Sequence, residues 1–556
     1  MADVDTILRR QARMESDRAN FEALWGEVAD VLLPRQADFI GSSGSYTQGA
    51  RRTERIYDET AMLALDHGVS AFEGEVIPQG GQWQKLTTRH PDLLKSQAVR
   101  LWLEQKTDLL FSLRNSPFSG FGNQSHESIA SLLAFGLQGM WPDVRRGPDG
   151  RSVGLTYQSR HIGQLYIREN VAGLVDTVHR KFRLSHRQAY QQWGDAAPEA
   201  VKKGLRDQRP DDEAEYLHVI EPNSDYDVTR IDAKGKRIAS CYVGLQDKVI
   251  FAEGGYRAMP LIVSRFEKSP TETYGRGPGI NILPAVKAAQ VMMRDLIAAT
   301  ELELRPPLIT HDDMQDVMIF FEPDGVTYGG LDDRGQPTVR KMLDSPTMEP
   351  VLLLQERTRQ IIERAFYVDL YQVRQEQKTH ISATEIMQRQ AEKGVLLAPL
   401  LRQQDEWFTP MAERELDIMA EMGLLDDMPP ELVEAGGVVE IVYENPLARA
   451  RKADEAAGFF QMIQGISPLG QVDQSWLQAL TRRYNPDKVI GGLAYIGNVP
   501  TSWENDEDEK QQIDAQRDAS IKLDTLLNAG DRAGMIAKNF AQAGAAQAGQ
   551  ESAGVA

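Results

Sequence analysis

The sequence has almost no cysteine, because Cys241 is the only one among its 556 residues. A disulfide within the chain is therefore impossible, and a zinc site made of several cysteines is excluded. The first residues, Met1-Ala2-Asp3-Val4-Asp5, have neither the basic nor the apolar part of a secretory signal. We therefore expect a protein that is made in a reducing cytoplasm.

Long apolar runs are missing as well. A transmembrane helix needs roughly eighteen or more consecutive apolar residues, and the sequence contains no such run. The hydrophobic fraction of 41% and the charged fraction of 26% are those of an ordinary soluble protein. We therefore predict no membrane partner, and a chain of this length can form several domains, each with its own core.

The sequence also lacks an excess of basic residues. The formal net charge is −19, and residues 281–424 contain 24 Asp and Glu against 15 Lys and Arg. A sequence-specific DNA-binding protein usually presents a basic face, which this composition does not favour. The acidic surface can serve solubility, or it can keep a passing polyanion from adhering, and charge alone does not decide between the two.

The motifs of nucleotide chemistry are not found. There is no G-x-x-x-x-G-K-[ST] sequence, so a P-loop is not predicted. The glycine-rich stretch 274–279 precedes a predicted helix, but its spacing differs from G-x-G-x-x-G and Pro278 lacks a backbone donor. We interpret this stretch as a flexible joint.

Metal and acid–base motifs are also missing. The nine histidines include no H-E-x-x-H pair, and we assign structural roles to His179 and His186. The acidic doublets 312–313 and 332–333 are interpreted as solvated turns, since two-metal chemistry needs further carboxylates. We predict no catalytic residue, no cofactor and no metal site, and therefore no enzyme.

The first half of the sequence predicts a mixed α+β fold that is mainly helical. Apolar residues at helical spacing predict four helices, and alternating residues between glycine-bearing turns then predict strands. Ser185 and Gln188 are spaced as a capping box at the start of a short helix that ends at Trp193. The predicted helices are 4–33, 56–76, 91–113 and 124–135, and the predicted strands are 153–157, 163–168, 175–182, 215–220, 238–245, 249–253 and 261–266.

The second half contains two long amphipathic helices of matched length, at 281–304 and 347–370. Each begins with an N-cap residue followed by a proline, Asn281 with Pro284 and Thr347 with Pro350. The excursion between them, 305–346, contains short apolar strands that need a neighbour, and another copy of the chain is the simplest one.

A polar segment follows the second of these helices. Residues 371–381 have no helical apolar stripe, and the capping box that begins at Ser382 starts a new helix. This helix bends at internal glycine and proline residues and ends at Gly423, a C′ glycine. The segment 371–381 is therefore predicted to be a projecting loop.

Several landmarks along the chain resemble one known family. They are Asp58-Glu59-Thr60-Ala61 to Ile77-Pro78 with Trp83 after it, Ser382-Ala383-Thr384-Glu385-Ile386, Leu397-Ala398-Pro399-Leu400-Leu401 to Thr409-Pro410-Met411, and Tyr443-Glu444-Asn445-Pro446-Leu447-Ala448-Arg449-Ala450. In this order they are similar to the portal, or head-to-tail connecting, proteins of short-tailed, podovirus-like bacteriophages. The resemblance extends from about residue 5 to about residue 500. Ser382 stands where the family commonly has Thr, which preserves the N-cap chemistry.

The resemblance implies a dodecameric ring at one capsid vertex, in the virion. It also implies a fold with a wing, a two-helix stem, a clip, a channel loop and a crown. On this chain the wing is 1–280, the stem 281–304 and 347–370, the clip 305–346, the channel loop 371–381, the kinked helix with the return to the wing 382–444, the crown 445–528 and a disordered tail 529–556.

The resemblance also implies partners. Double-stranded DNA would pass through the channel without sequence recognition during packaging and ejection, and terminase, tail adaptors and capsid proteins would dock on the ring. The predicted DNA-facing residues are Arg374, Lys378 and His380 in the channel loop, and the predicted partner-binding residues of the clip are Phe320, Phe321 and Tyr328. The alternatives are another structural virion protein, such as a tail adaptor or internal scaffold, and a packaging enzyme.

Overall fold

The computed structural model describes four long parts of the chain. These are residues 3–36, residues 53–304 without 55, 79 and 80, residues 349–368 and residues 402–443. Short pieces of 305–348 and of 458–519 are described as well. The chain divides into two compact units. The larger is Met1–Thr87, Lys106–Met428 and Val439–Arg451, and the smaller is Thr88–Gln105, Pro429–Val438 and Lys452–Ala556.

The described residues form both helices and antiparallel sheets, as in a mixed α+β fold. The helices are α1 (Val4–Leu32), α2 (Thr60–Val76), α3 (Gln97–Arg114), α4 (Phe121–Phe135), α5 (His186–Trp193), α6 (Glu199–Arg206), α7 (Pro278–Leu304), α8 (Glu349–Ala365), α9 (Thr409–Glu421), α10 (Pro430–Glu434) and α11 (Pro486–Gly497). The strands are β1 (Gln84–Thr88), β2 (Leu137–Arg146), β3 (Ser152–Ser159), β4 (Leu165–Glu169), β5 (Val175–Ser185), β6 (Glu213–Pro222), β7 (Ile238–Gly244), β8 (Val249–Tyr256), β9 (Ile262–Arg265), β10 (Leu308–Ile309), β11 (Arg340–Lys341) and β12 (Val439–Tyr443).

The largest sheet has five strands in the order β4-β5-β6-β7-β8, and all neighbours are antiparallel. Its strands correspond to five of the predicted strands. Alternating residues of β6 and β7 face α1, where Leu217, Val219 and Cys241 form a buried cluster with Ile7. This period of two is the pattern from which the strands were predicted. The sheet is therefore covered on this face by the first helix of the chain.

A second sheet, β3-β2-β9, has β2 at its centre. The sequence analysis did not predict β2, since Gly139 and Pro142 interrupt its apolar run. Strand β9 pairs only with residues 137–140 of β2. Pro142 thus lies where β2 has a single neighbouring strand, which is a position that tolerates a missing backbone donor.

A helical core lies beside the two sheets in the larger unit. The second half of α1 belongs to it, and Trp25 is fully buried there and donates its indole N–H to the carbonyl of Phe135 over 3.2 Å. Trp83, Phe72 and Phe408 belong to the same buried cluster. Aromatic side chains of this size account for much of the apolar area that such a core removes from water.

The glycine-rich stretch 274–279 is not a flexible joint, and that interpretation was wrong. A Cβ atom added to Gly277 would lie 2.7 Å from the backbone nitrogen of Gly136, and one added to Gly279 would lie 2.5 Å from the carbonyl oxygen of Ala134. These glycines allow the stretch to pack directly on the backbone at the end of α4. Helix α7 therefore starts from a close-packed junction.

The smaller unit contains the first half of α3 together with α10 and α11. Arg100 on α3 donates both terminal guanidinium nitrogens to the carboxylate of Glu504, each over 2.9 Å. Glu104, one turn further along α3, accepts from the backbone N–H of Thr501 over 2.9 Å. These bonds hold the segment around residues 501–504 against α3.

Candidate functional site

The six residues predicted to contact DNA or partner proteins lie outside the described residues. These are Arg374, Lys378 and His380, and Phe320, Phe321 and Tyr328. The structure does describe α7 and α8, the two helices that flank the predicted clip. Within the described residues, the candidate functional site therefore consists of α7, α8 and the residues that contact them.

Helices α7 and α8 pack against each other and run in opposite directions. Near the base of the pair, Ile282 of α7 and Ala365 of α8 line one cavity. About three turns of helix further out, the amide of Gln355 on α8 lies 3.3 Å from the sulfur of Met293 on α7. The first half of α7 is anchored in the core through Ile280, Leu283, Val286 and Ala289, which are buried.

The two helices are tied to the N-terminus of α2 by the buried carboxylate of Asp58. One carboxylate oxygen accepts from the backbone N–H of Thr60 over 2.9 Å. The other accepts from Nε of Arg359 over 3.0 Å and from the amide of Gln355 over 3.4 Å, both on α8. The side chain of Gln290 on α7 donates to the carbonyl of Asp58 over 2.6 Å. A single residue thus joins three helices.

The environment of Asp58 favours its charged form. Burial acts to raise the pKa of this carboxyl group, but the hydrogen bonds from Thr60 and the neighbouring Arg359 outweigh it, so the pKa is lowered. A carboxylate that accepts several hydrogen bonds and faces a guanidinium is stabilised in this way. Asp58 is therefore ionised at neutral pH and holds Arg359 in place.

The outer part of the helix pair presents an apolar face to solvent. On α8, Leu353 and Leu354 are each 56% exposed and Ile361 is 53% exposed. Ile362 and Phe366, nearer the base of the pair, are buried. On α7 and the start of α8, the large apolar side chains of Val291, Ile297, Leu304, Val351 and Leu352 are exposed as well. Several large apolar side chains left exposed on one helix pair indicate an interaction surface.

Residues on either side of 369–401 lie beside the base of this helix pair. Tyr367 and Arg402 line the same cavity of about 240 Å³, together with Pro278 and Asn281 of α7. Tyr367 and Arg402, which lie on either side of 369–401 in the chain, are therefore close to each other in space.

Arg265 fixes the start of the described part of the chain that begins at residue 402. Its buried guanidinium forms ion pairs with Glu406 and Glu169 and donates to the carbonyl of Gly173 over 2.9 Å. Glu406 lies in a π-helical turn, Gln404–Phe408, directly before α9. Burial acts to lower the pKa of Arg265, and the two carboxylates reverse this effect and raise it. The π-helical turn is thus fixed to the end of β9.

A second buried ion pair holds α9 to the core. Arg114 and Glu415 are both fully buried, and Nε of Arg114 donates to the Glu415 carboxylate over 3.1 Å. The hydroxyl of Tyr157 donates to the same carboxylate over 2.5 Å. Burial and the neighbouring Glu415 raise the pKa of Tyr157 well above its usual value, so the phenol remains a donor.

Two of the described histidines, His179 and His186, form hydrogen bonds within the fold. His179 is buried in β5 and donates from Nδ1 to the side-chain oxygen of Gln11 over 2.9 Å, a structural role as predicted. The side chain of His186 hydrogen-bonds to the carbonyl of Arg209 over 2.9 Å. Among the described residues, no group of three His, Cys, Asp or Glu side chains could hold a metal ion.

None of the helices that the structure describes is long and apolar enough to cross a bilayer.

A body that anchors a projecting helix pair with an exposed apolar face is typical of a structural subunit that assembles with other subunits. The chain belongs to the family of bacteriophage head to tail connecting proteins, which its residues 4–503 match. This confirms the resemblance drawn from the landmarks in the sequence.

Two relatives are similar over most of their length. The portal protein of Salmonella phage epsilon15 is 26% identical over 545 residues, which cover 97% of this chain and 95% of the relative. The probable portal protein of Bordetella phage BPP-1 is 25% identical over 479 residues, which cover 83% of each chain.

The sequence analysis missed the roles of Asp58 and Arg265. Asp58 was noted as a family landmark, but its partners Gln290 and Arg359 are more than 200 positions away in the chain. The partners Glu169 and Glu406 of Arg265 are 96 and 141 positions away. No local pattern indicates such pairs, so only the folded structure reveals them.

Proposed function

We propose that this chain is a portal protein, whose copies form a closed, dodecameric ring at one vertex of a phage capsid. Double-stranded DNA passes through the ring when the genome is packaged and again when it is ejected. The family of the chain and its similarity to a portal protein and a probable portal protein support this function. The chain acts as a structural channel and carries out no chemical reaction.

The observation that carries the proposal is the exposed apolar face of α7 and α8. Leu353, Leu354 and Ile361 lie on adjoining sides of α8, and a neighbouring subunit that covers them removes this apolar area from water. A contact between two different faces of identical subunits repeats by rotation and closes into a ring when the rotation angle divides the circle. The helix pair is then the stem of the portal.

The channel loop is proposed to contact the passing DNA. Arg374, Lys378 and His380 lie in the segment 371–381, and the residues on either side of that segment, Tyr367 and Arg402, are held at the base of the stem. A cation near the channel axis can hold a phosphate for a short time, while the acidic surface of the chain as a whole repels the polyanion. The loop therefore retains DNA without fixing it.

The clip is proposed to dock the terminase during packaging and tail adaptors afterwards. Its two ends are brought together by the short antiparallel pair β10–β11, in which Leu308 faces Lys341 and Ile309 faces Arg340. The aromatic residues Phe320, Phe321 and Tyr328 would supply the apolar contacts that anchor a partner.

Labelling of phage particles tests the proposed position. Antibodies raised against the purified chain, followed by gold-labelled secondary antibody, should mark opened particles at the single vertex that carries the tail. Label at many vertices would contradict the proposal, as would label at the tip of the tail.

A further inference from the structure

The loop between β6 and β7, residues 223–237, forms a cavity that the proposed function does not use. This cavity of about 510 Å³ is lined by four basic side chains and by no carboxylate. The basic residues are Arg230, Lys236, Arg237 and Arg257. Arg230 forms an ion pair with Asp232 of the same loop, and the wall has three further positive charges in a chain whose net charge is −19.

The same cavity has aliphatic side chains that are almost fully in water. Ile231 is 98% exposed and Val228 is 76% exposed, and both line the cavity beside Arg230. Tyr226 lines it as well and is 40% exposed. Single exposed apolar residues are common, but three in one short loop around a cavity indicate a binding surface.

The loop is held in one conformation by its own hydrogen bonds. The side-chain amide of Asn223 donates to the carbonyl of Lys236 over 2.8 Å, and the Asp227 carboxylate accepts from the backbone and hydroxyl of Thr229 over 3.0 and 2.7 Å. A Cβ atom added to Gly235 would lie 1.7 Å from the carbonyl oxygen of Arg230, so only glycine fits there. A surface that is already ordered loses little entropy when it binds.

We propose that this cavity is a docking site for an acidic segment of a partner protein, in which carboxylates flank a large apolar side chain. The carboxylates would pair with Lys236 and Arg257, and the apolar side chain would pack on Ile231 and Val228. Among the described residues, neither Lys236 nor Arg257 already forms an ion pair, so both are available to such a segment.

Nucleic acid fits the site less well. A phosphate backbone is recognised by cations and polar donors and gains nothing from two exposed aliphatic side chains. A protein segment uses both features, because interfaces place an apolar centre inside a polar rim. The residues that line the site lie between Tyr226 and Arg257, and none of them belongs to the proposed stem, clip or channel loop.

Binding of short fluorescent peptides to the full-length protein tests the proposal by fluorescence anisotropy. The first peptide alternates Asp and Glu with Leu, the second has Ser in place of every Leu, and the third has Lys in place of every acidic residue. The first peptide should bind saturably at low salt, and binding should weaken several-fold at physiological salt. The other two should bind at least about tenfold more weakly, a difference of about 1.4 kcal/mol.

Two variants and one control connect the binding to the cavity. Ile231→Asp and Arg257→Glu should each weaken binding of the first peptide by about tenfold or more. Val153→Asp on β3 replaces a valine that is 53% exposed and should leave binding unchanged. Since all three side chains are exposed, these variants are expected to fold, which circular dichroism can verify.

Four outcomes would overturn the proposal. The first is that the acidic peptide with Leu does not bind. The second is that it binds equally well to Ile231→Asp and to the wild-type protein. The third is that a short DNA duplex binds more tightly than the peptide and loses this binding in the same variants, which would make the site a nucleic-acid contact. Self-association that Ile231→Asp abolishes would instead assign the cavity to a second copy of the chain.

Discussion

Asp58 is the residue on which the attachment of the stem depends most directly. Asp58 is only 3% exposed, and its carboxylate faces Arg359 and Gln355 of α8. A buried donor that loses its acceptor lowers stability by more than the hydrogen bond had contributed, because the donor remains out of water without a partner. Loss of the Asp58 carboxylate should therefore lower the free energy of unfolding by more than the contribution of one hydrogen bond.

Replacing this carboxylate should loosen the stem. We predict that Asp58→Asn lowers the free energy of unfolding by about 1–3 kcal/mol, since the charge that binds Arg359 is lost. Denaturant titration followed by circular dichroism measures the change. The control is Asp66→Asn, an exposed position on α2 that should have no effect. Equal stability of the two variants would contradict the role of Asp58.

Asp58 also makes part of the stability depend on pH. Because the folded state lowers the pKa of this carboxyl group, the stabilisation is present above the ordinary value of about 3.9 and is lost as the pH falls through the lowered value. Asp58→Asn should remove this part of the acid dependence.

His179 should give a pH dependence in a higher range. Burial, with the nearby Arg10 and Arg168, lowers its pKa to about 3, so the folded protein holds it neutral while the unfolded chain protonates it below about 6.5. Stability should therefore fall as the pH is lowered from about 6.5 towards 3. Urea midpoints measured across this range should fall less steeply in His179→Asn, and an unchanged slope would show that His179 is not responsible.

At the scale of elements, the exposed face of α8 is the feature that a single chain leaves unexplained. We predict that Leu354→Asp and Ile361→Asp prevent assembly, because each places a charge where a neighbouring subunit would bury an apolar side chain. Light scattering should show a shift from the assembled mass towards the monomer. Leu63→Asp on α2 is the matched control, since Leu63 is 54% exposed and lies outside the helix pair. Assembly that persists in the α8 variants would contradict the assignment of the interface.

Elements with strong local signals were predicted well from the sequence. Helix α1 was predicted at 4–33 and lies at Val4–Leu32. The capping box at Ser185 and Gln188 is present, and Gly423 has the positive φ of a C′ glycine, with a bond from the N–H of Leu424 to the carbonyl of Met419. These features depend on residues within a few positions of each other, which is the information that a sequence pattern contains.

Elements without such signals were missed or displaced. Strands β1 and β2 and helix α6 were not predicted, and α7 begins at Pro278, three residues before the predicted Asn281. The glycines before α7 resemble a flexible joint in the sequence, and only the closeness of α4 shows that they serve packing. The exposure of Leu354 and Ile361 could not be predicted either, because helical periodicity does not tell whether the covering surface belongs to the same chain.

At the scale of the whole molecule, we propose that the acidic charge and the cations of the channel loop act in opposite directions on DNA. We predict that the double variant Arg374→Ala/Lys378→Ala leaves the assembled mass unchanged and reduces the amount of DNA that packaged particles retain. The expected loss is several-fold, since each phosphate contact contributes to retention. Arg13→Ala/Arg146→Ala removes two exposed cations on the larger unit and serves as the control. Retention equal to that of the wild type would remove the channel loop from the mechanism.

The central claim is that copies of this chain close into a ring, and electron microscopy of the purified full-length protein, with its mass by light scattering, tests it most directly. The account predicts rings with a central opening and a mass close to twelve times that of the 62.2 kDa chain. A monodisperse monomer that persists across protein concentrations and salt conditions would contradict it.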